Sequence, residues 1–276
     1  MKILLTGASG IKVAATVARL LAQLHHVVGL DRVAAPTTHI IADITAADWR
    51  THLAGVDAVV HFAALHAPHR VTHTRDDFVA TNVKATGALL AAAREAGVKR
   101  VVFASTTSVY GRAMRMPDRA AWVTEALTPI AEDIYDETKL EAEALCRDAY
   151  AADFVTMALR FSRCFPEPTP EMALYRLYRG VDARDVANAF SLALDHTPAQ
   201  FEAFNISAAT PFLETDCEAL KRDAASVIYA RTPEFAAAFA ARGWPLPTSI
   251  DRVYVIEKAA RALGFKPEFG WQSALL

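Results

Sequence analysis

Short apolar runs alternate with longer stretches of helical periodicity through the first 160 residues. The runs at 2–6, 26–30, 39–42, 57–63, 99–105 and 154–160 are continuous rather than alternating, as expected of strands buried on both faces. Between them, 13–24, 81–96 and 133–150 read as helices, and Gly97 closes the second of these with a C-terminal stop signal. This order predicts parallel βαβ units and therefore an α/β fold built on a doubly wound parallel sheet.

Beyond Arg160 the pattern changes. The stretch 165–170 alternates other residues with Pro166, Pro168 and Pro170, and is predicted as a loop because proline lacks the N–H donor and fixes φ. A helix at 182–195 and a strand at 201–206 follow, then helical patterns at 214–227, 233–242 and 250–263. The expected division is a main α/β domain over 1–160, to which 181–206 returns, and a small, mostly helical C-terminal annex made of 161–180 and 207–276. Phe235, Phe239 and Trp244 have near-helical spacing and read as annex core.

Composition narrows the possibilities. A chain of 276 residues that is 53% hydrophobic and 22% charged suits one large α/β domain with an annex. A formal net charge of -2 provides no basic field for nucleic acid. Cys146, Cys164 and Cys217 are far apart in sequence and read as thiols in a reducing compartment, so a cytoplasmic location is expected. The apolar opening ends at Thr6, far short of a signal-peptide core or the ~20 residues of a membrane helix. No membrane partner is expected.

Two clusters carry candidate chemistry. Thr6-Gly7-Ala8-Ser9-Gly10 joins the first strand to the first helix, where glycine turns let backbone N–H groups and a positive helix end face a pyrophosphate. Gly7, Ser9, Gly10 and Ile11 are the candidate contacts. Asp31 ends the second strand at the spacing where a carboxylate accepts the ribose hydroxyls of adenosine, which favours NAD. The adjacent Arg32 leaves NADP possible. The second cluster is Tyr135-Asp136-Glu137-Thr138-Lys139, whose i, i+4 spacing puts phenol and ammonium on one helix face. A neighbouring Lys⁺ favours the phenolate and makes Tyr135 a candidate general base.

These motifs, in this order, resemble the extended short-chain dehydrogenase/reductase family, also called the NAD-dependent epimerase/dehydratase family. Thr6–Gly10 resembles its TGxxGxxG loop, although Val13 replaces the third glycine and Leu24 stands where a glycine commonly closes the first helix. Asp43-Ile44 resembles its adenine-contacting pair, His61-Phe62-Ala63-Ala64 its HxAA strand end, and Asn82-Val83 its NV helix start. The resemblance implies a Rossmann-type fold, cofactor contacts from Asp43, Ile44, Phe62, Ala63, Ala64 and Asn82, and a nicotinamide-ribose contact from Lys139. It also implies a homodimer through two sheet-flanking helices. Ser105-Thr106-Thr107-Ser108-Val109-Tyr110-Gly111 resembles the S/T-x-x-VYG pattern and assigns the catalytic hydroxyl to Thr106.

The substrate side is compact. The interval from Arg160 to Gly180 is short for a nucleotide-sugar pocket and resembles that of the uronate dehydrogenases, whose SCxPEP stretch is similar to Ser162–Pro168, which implies a substrate-contacting position for Arg163. His66 and Thr107 match two further substrate positions. A guanidinium at Arg163 suits a carboxylate or phosphate, and Arg176 and Arg179 could add to it or form a solvated face. Thr107-Ser108 replaces the Asp-Glu of the dehydratases. His61, His66, His69 and His73 lack thiol or acidic companions, so no metal is expected. The expected activity is NAD(P)-dependent oxidation of a hydroxyl carbon in a sugar or sugar acid. Sugar-nucleotide epimerisation through a transient ketone is the alternative, and a catalytically silent cofactor-binding protein a third reading.

Overall fold

The computed structural model describes residues 1–10 and 13–276. Its centre is a seven-stranded, wholly parallel sheet. The strands are β1 (Lys2–Thr6), β2 (His26–Asp31), β3 (Ile40–Ile41), β4 (Ala58–His61), β5 (Arg100–Thr106), β7 (Val155–Phe161) and β8 (Glu202–Ile206), in the order β3-β2-β1-β4-β5-β7-β8. The short strands β6 (Ala121–Val123) and β9 (Arg252–Tyr254) form a separate parallel pair. The order reverses between β1 and β4, and in open α/β sheets the crevice beyond the strand C-termini at such a point is where ligands bind.

Helices cover both faces. On one, α1 (Val13–Leu21) and α7 (Ala183–Asp195) bury Val17, Leu21, Phe190 and Leu194 against Ile3, Leu5 and Val60. On the other, α2 (Trp49–His52), α4 (Ala85–Glu95) and α5 (Ile134–Ala149) pack against Leu4, Val59 and Val101. Ahead of α4 lie α3 (Arg75–Phe78) and the π-helical turn Val79–Lys84. A third core joins α6 (Thr169–Tyr175), α8 (Cys217–Arg222), α9 (Ala224–Arg231) and α10 (Pro233–Ala240) around Phe235 and Phe239, whose rings lie 4.2 Å apart. The Trp244 ring packs on Phe239 at 5.3 Å. The last helix, α11 (Glu257–Leu263), returns to the first core.

Several expectations change. The predicted helix at 81–96 begins earlier, at Arg75, because Thr74 and Asp77 form a capping box across its first turn. The predicted loop at 165–170 yields to α6 from Thr169, with Pro170 in the first turn, where a missing N–H costs nothing. The predicted helix at 250–263 divides, since the β-branched and aromatic run Arg252–Tyr254 pairs with β6 before α11 begins. Strand β6 itself was not expected: three residues whose partner lies about 130 positions away leave no local signature. The first helix ends at Leu21, and Leu24 is exposed. No described helix is long and apolar enough to cross a membrane.

Candidate active site

The glycine turn sits at the C-terminal end of β1. Gly7 has φ +75°, and a Cβ there would lie 2.6 Å from the Ala63 nitrogen, so the close approach of this turn to the end of β4 requires glycine. The Asp31 carboxylate at the tip of β2 spans two backbone donors, Ser9 N–H at 2.9 Å and Val33 N–H at 3.1 Å. Each carboxylate oxygen keeps lone-pair capacity beyond these bonds. The Thr37 hydroxyl ties the following loop to the Ala8 carbonyl at 2.6 Å. Arg32 and Gly10 are exposed, and Ile11 lies outside the described residues. Val13, in place of a third glycine, is partly buried and packs on the first core. A partly exposed carboxylate beside a glycine turn that no side chain can fill is a donor–acceptor set that fits an adenosine ribose and a pyrophosphate.

Around this turn lie the other sequence-predicted contacts. Asp43 is exposed, and its carboxylate accepts the Thr45 backbone and hydroxyl protons at 2.8 Å each; these bonds hold it below the usual carboxylate range, with help from Arg32. Ile44 and Phe62 are buried, Phe62 against Phe190 at 4.7 Å, while Ala63 and Ala64 are partly exposed. Asn82, in the π-turn, is buried: it accepts from Leu65 N–H at 2.7 Å and donates to Leu65 C=O and to Thr138 Oγ1 at 3.0 Å each. It therefore ties the chain after β4 to α5.

His61 closes the end of β4 from beneath. Its Nε2 donates to Thr86 Oγ1, whose own proton goes to the Asn82 carbonyl, leaving Nδ1 to accept from Thr6 Oγ1 at 2.6 Å. Burial, with Lys139 nearby, lowers its pKa to about 3. It is a neutral structural residue. His66, His69 and His73 form a file of rings 6.0 and 5.4 Å apart. Among the described residues no His, Cys, Asp or Glu cluster could hold a metal.

The Asp133 side chain caps α5 through Tyr135 N–H and Asp136 N–H, bringing Tyr135 over the end of β5. The phenol is buried, with 9% exposure, and its ring lies 5.9 Å from the exposed His66 ring. Burial raises its pKa; a hydrogen bond with the Thr106 side chain opposes this, and the charges of Asp136 and Asp133 add to it. Thr106 extends the site from the last position of β5, accepting from Ser108 N–H at 3.1 Å. The structure thus brings Thr106, Tyr135 and His66 together.

Lys139 is held against the end of β5. Its amine donates to the Ala104 carbonyl at 2.6 Å and lies 4.0 Å from the Phe103 ring centroid. Desolvation lowers its pKa to about 7, against the raising effect of Glu143 and Cys146. Thr107, expected among the substrate contacts, is 3% exposed. Arg163, exposed two residues beyond the register partner of Thr106, is paired with Glu167 and lies over the Phe165 and Tyr175 rings. Arg176 pairs with Asp182, whereas Arg179 stacks on Tyr175 at 4.4 Å. Sequence reasoning passed over Glu143 and Arg160. The available signals were an arginine inside an apolar strand and a glutamate four residues after Lys139.

Residues 3–172 match the NAD dependent epimerase/dehydratase family. The uncharacterized UDP-glucose epimerase YtcB of Bacillus subtilis is 32% identical over 204 residues, covering 65% of this chain and 62% of that protein. A UDP-glucose 4-epimerase of Halalkalibacterium halodurans is 31% identical over 172 residues, covering 57% and 49%. The chain thus spans about three fifths and about half of these two relatives. Among solved structures, a short-chain dehydrogenase/reductase superfamily protein from Agrobacterium tumefaciens with bound NAD superposes with a TM-score of 0.72 at 25% identity, over 100% of this chain and 95% of the other. The UDP-glucuronic acid 4-epimerase of Bacillus cereus gives 0.69 at 24%, over 100% and 96%. A mutated uronate dehydrogenase gives 0.70 at 20%, over 99% and 83%. With the glycine turn, Asp31 and the parallel sheet in place, the chain belongs to the NAD-dependent epimerase/dehydratase family, an enzyme family whose cofactor is NAD.

Proposed function

We propose that this enzyme oxidises a hydroxyl-bearing carbon of a sugar or sugar acid. The observation that carries the reading is the placement of Thr106 and Tyr135 at the C-terminal edge of the same sheet whose β1 and β2 ends present the glycine turn and Asp31. Gly7, Ser9, Gly10 and Asp31 would hold the pyrophosphate and adenosine ribose, with Asp43 and Ala63 beside them. When bound, NAD supplies the hydride acceptor. Tyr135 takes the hydroxyl proton, and Thr106 donates to the substrate oxygen and steadies its developing charge. Lys139 contributes a buried positive charge beneath the same strand end. Arg163 and Arg179 would meet an anionic group on the substrate, with His66 next to Tyr135 as a further contact.

Two fates of the ketone are compatible with this set. Release gives a dehydrogenase, the reading favoured by the short Arg160–Gly180 interval. Retention and reduction from the other face gives an epimerase, the reading favoured by the curated relatives. Uronates, free aldoses and nucleotide sugars assayed with NAD and with NADP distinguish them: steady appearance of reduced nicotinamide supports release, and epimer formation without it supports retention. A cytoplasmic homodimer through two sheet-flanking helices, and a division into a cofactor domain and a C-terminal annex, belong to the same proposal. Sedimentation velocity tests the dimer.

A further inference from the structure

Beneath the site runs a buried ionic chain that the reaction as proposed does not use. Glu143, one helical turn after Lys139 on α5, is 1% exposed, and Arg160, on β7, is 5% exposed. Their contact is bidentate: Nε reaches Oε1 at 2.9 Å and Nη2 reaches Oε2 at 2.6 Å. The Ser105 hydroxyl donates to Glu143 Oε1 at 2.5 Å. The other arm of Arg160 donates to Tyr110 Oη at 3.1 Å, and Tyr110 donates to Asn205 Oδ1 at 2.8 Å. Asn205 donates from its side chain to Val123 C=O at 3.1 Å and from its backbone to Glu125 at 2.7 Å. The Glu143 carboxylate is therefore held from β5 and β7 at once, and its guanidinium partner is held by residues that reach β8 and β6.

A buried ion pair is weak evidence for stability, because desolvating two charges offsets most of their attraction. The location of this one suggests a different use. Lys139 and Glu143 lie one helical turn apart on the same face of α5 and reach consecutive residues of β5: the Lys139 amine donates to the Ala104 carbonyl beside the Phe103 ring, and Glu143 accepts from the Ser105 hydroxyl. The titratable groups whose charges act on the amine are His61 from β4, His66 from the following segment, and Glu143 and Cys146 from its own helix. His61 is neutral, so Glu143 is the one carboxylate among them. We propose that Glu143, locked by Arg160, is a positioning residue that keeps the Lys139 amine cationic beneath the end of β5. That a charged Lys139 matters for turnover rests on the proposed function; that Glu143 maintains the charge does not.

The test needs neither substrate nor cofactor. In protein labelled with 15N-lysine, the Lys139 Nζ resonance, assigned through Lys139→Arg, is followed from about pH 5 to about pH 10 in wild type, in Glu143→Gln and in Glu143→Gln/Arg160→Gln. The single variant leaves a buried guanidinium unpaired and risks unfolding; the double variant removes both charges while keeping the side-chain shapes close. Both are expected to release the Lys139 proton at least about one pH unit below wild type, a tenfold drop in the charged-to-neutral ratio, with the other lysines unmoved. A folded variant that titrates with wild type, or a wild-type Lys139 already neutral at about pH 5, would overturn the proposal. Loss of the Lys139 charge with no activity found on any sugar would instead count against the proposed function alone.

Discussion

At the residue scale, the site depends on a phenol that its surroundings do not ionise. Burial and the charges of Asp133 and Asp136 raise the pKa of Tyr135, and only Thr106 opposes them. Oxidation needs the phenolate, so kcat/KM in that direction should increase with pH from neutrality upward, as a pH–rate profile will show. Tyr135→Phe removes the proton acceptor and should lower kcat by about 10²–10⁴-fold while the variant stays folded. His61 makes a separate prediction about stability. Its folded pKa of about 3 lies below its ordinary value of 6.5, so between those limits the unfolded chain binds a proton that the native chain does not. The stability present above pH 6.5 is therefore lost as pH falls towards 3, at up to about 1.4 kcal/mol per pH unit. Urea unfolding at about pH 7 and about pH 4.5 should show this slope in wild type and a shallower one in His61→Gln. Tyr135 and Asp31 were legible as candidates because their chemistry is local to a helix face and a strand end, whereas Thr106 became one only through the resemblance of 105–111 to a family pattern. The direction of Lys139 was not legible, because rotamers of a long side chain are settled by partners such as Ala104 and Phe103 that spacing alone does not reveal.

At the scale of elements, turns and caps place these groups. Gly7 combines positive φ with a contact that leaves no room for a Cβ. Gly7→Ala should destabilise the fold by at least about 1–2 kcal/mol from backbone conformation alone and weaken NAD binding, measured by urea midpoint and by calorimetric titration. Asn82 joins the segment after β4 to α5 through three hydrogen bonds, and Asn82→Ala should cost about 2–4 kcal/mol by leaving Leu65 and Thr138 groups short of partners. All seven strands of the central sheet were readable because short apolar runs of that length admit little else. The start at Arg75 and the break before α11 were less so: the first depends on one capping box, the second on pairing with a distant three-residue strand.

At the scale of the whole molecule, one sheet edge collects groups from widely separated parts of the chain: Gly7, Asp31, Thr106, Tyr135 and Arg163. Parallel topology does this, since every strand ends on the same side and every loop there faces the same crevice. The pair β6–β9 joins residues about 130 positions apart, and Asn205 on β8 links it to the sheet through Val123, while also accepting from Tyr110. Local pattern carries least information about the candidate substrate contacts: Arg163 and Arg179 are stacked on aromatic rings, and Arg176 is paired with Asp182. The most direct measurement is isotope transfer. Candidate sugars deuterated at each carbinol carbon are incubated with the enzyme and NAD, and the nicotinamide is analysed by mass spectrometry after quenching. Deuterium recovered in the reduced nicotinamide with wild type, and lost with Tyr135→Phe, is the predicted result under either fate of the ketone. Substrate turnover with all deuterium retained on its original carbon or washed into solvent, and none in the nicotinamide, would contradict the account.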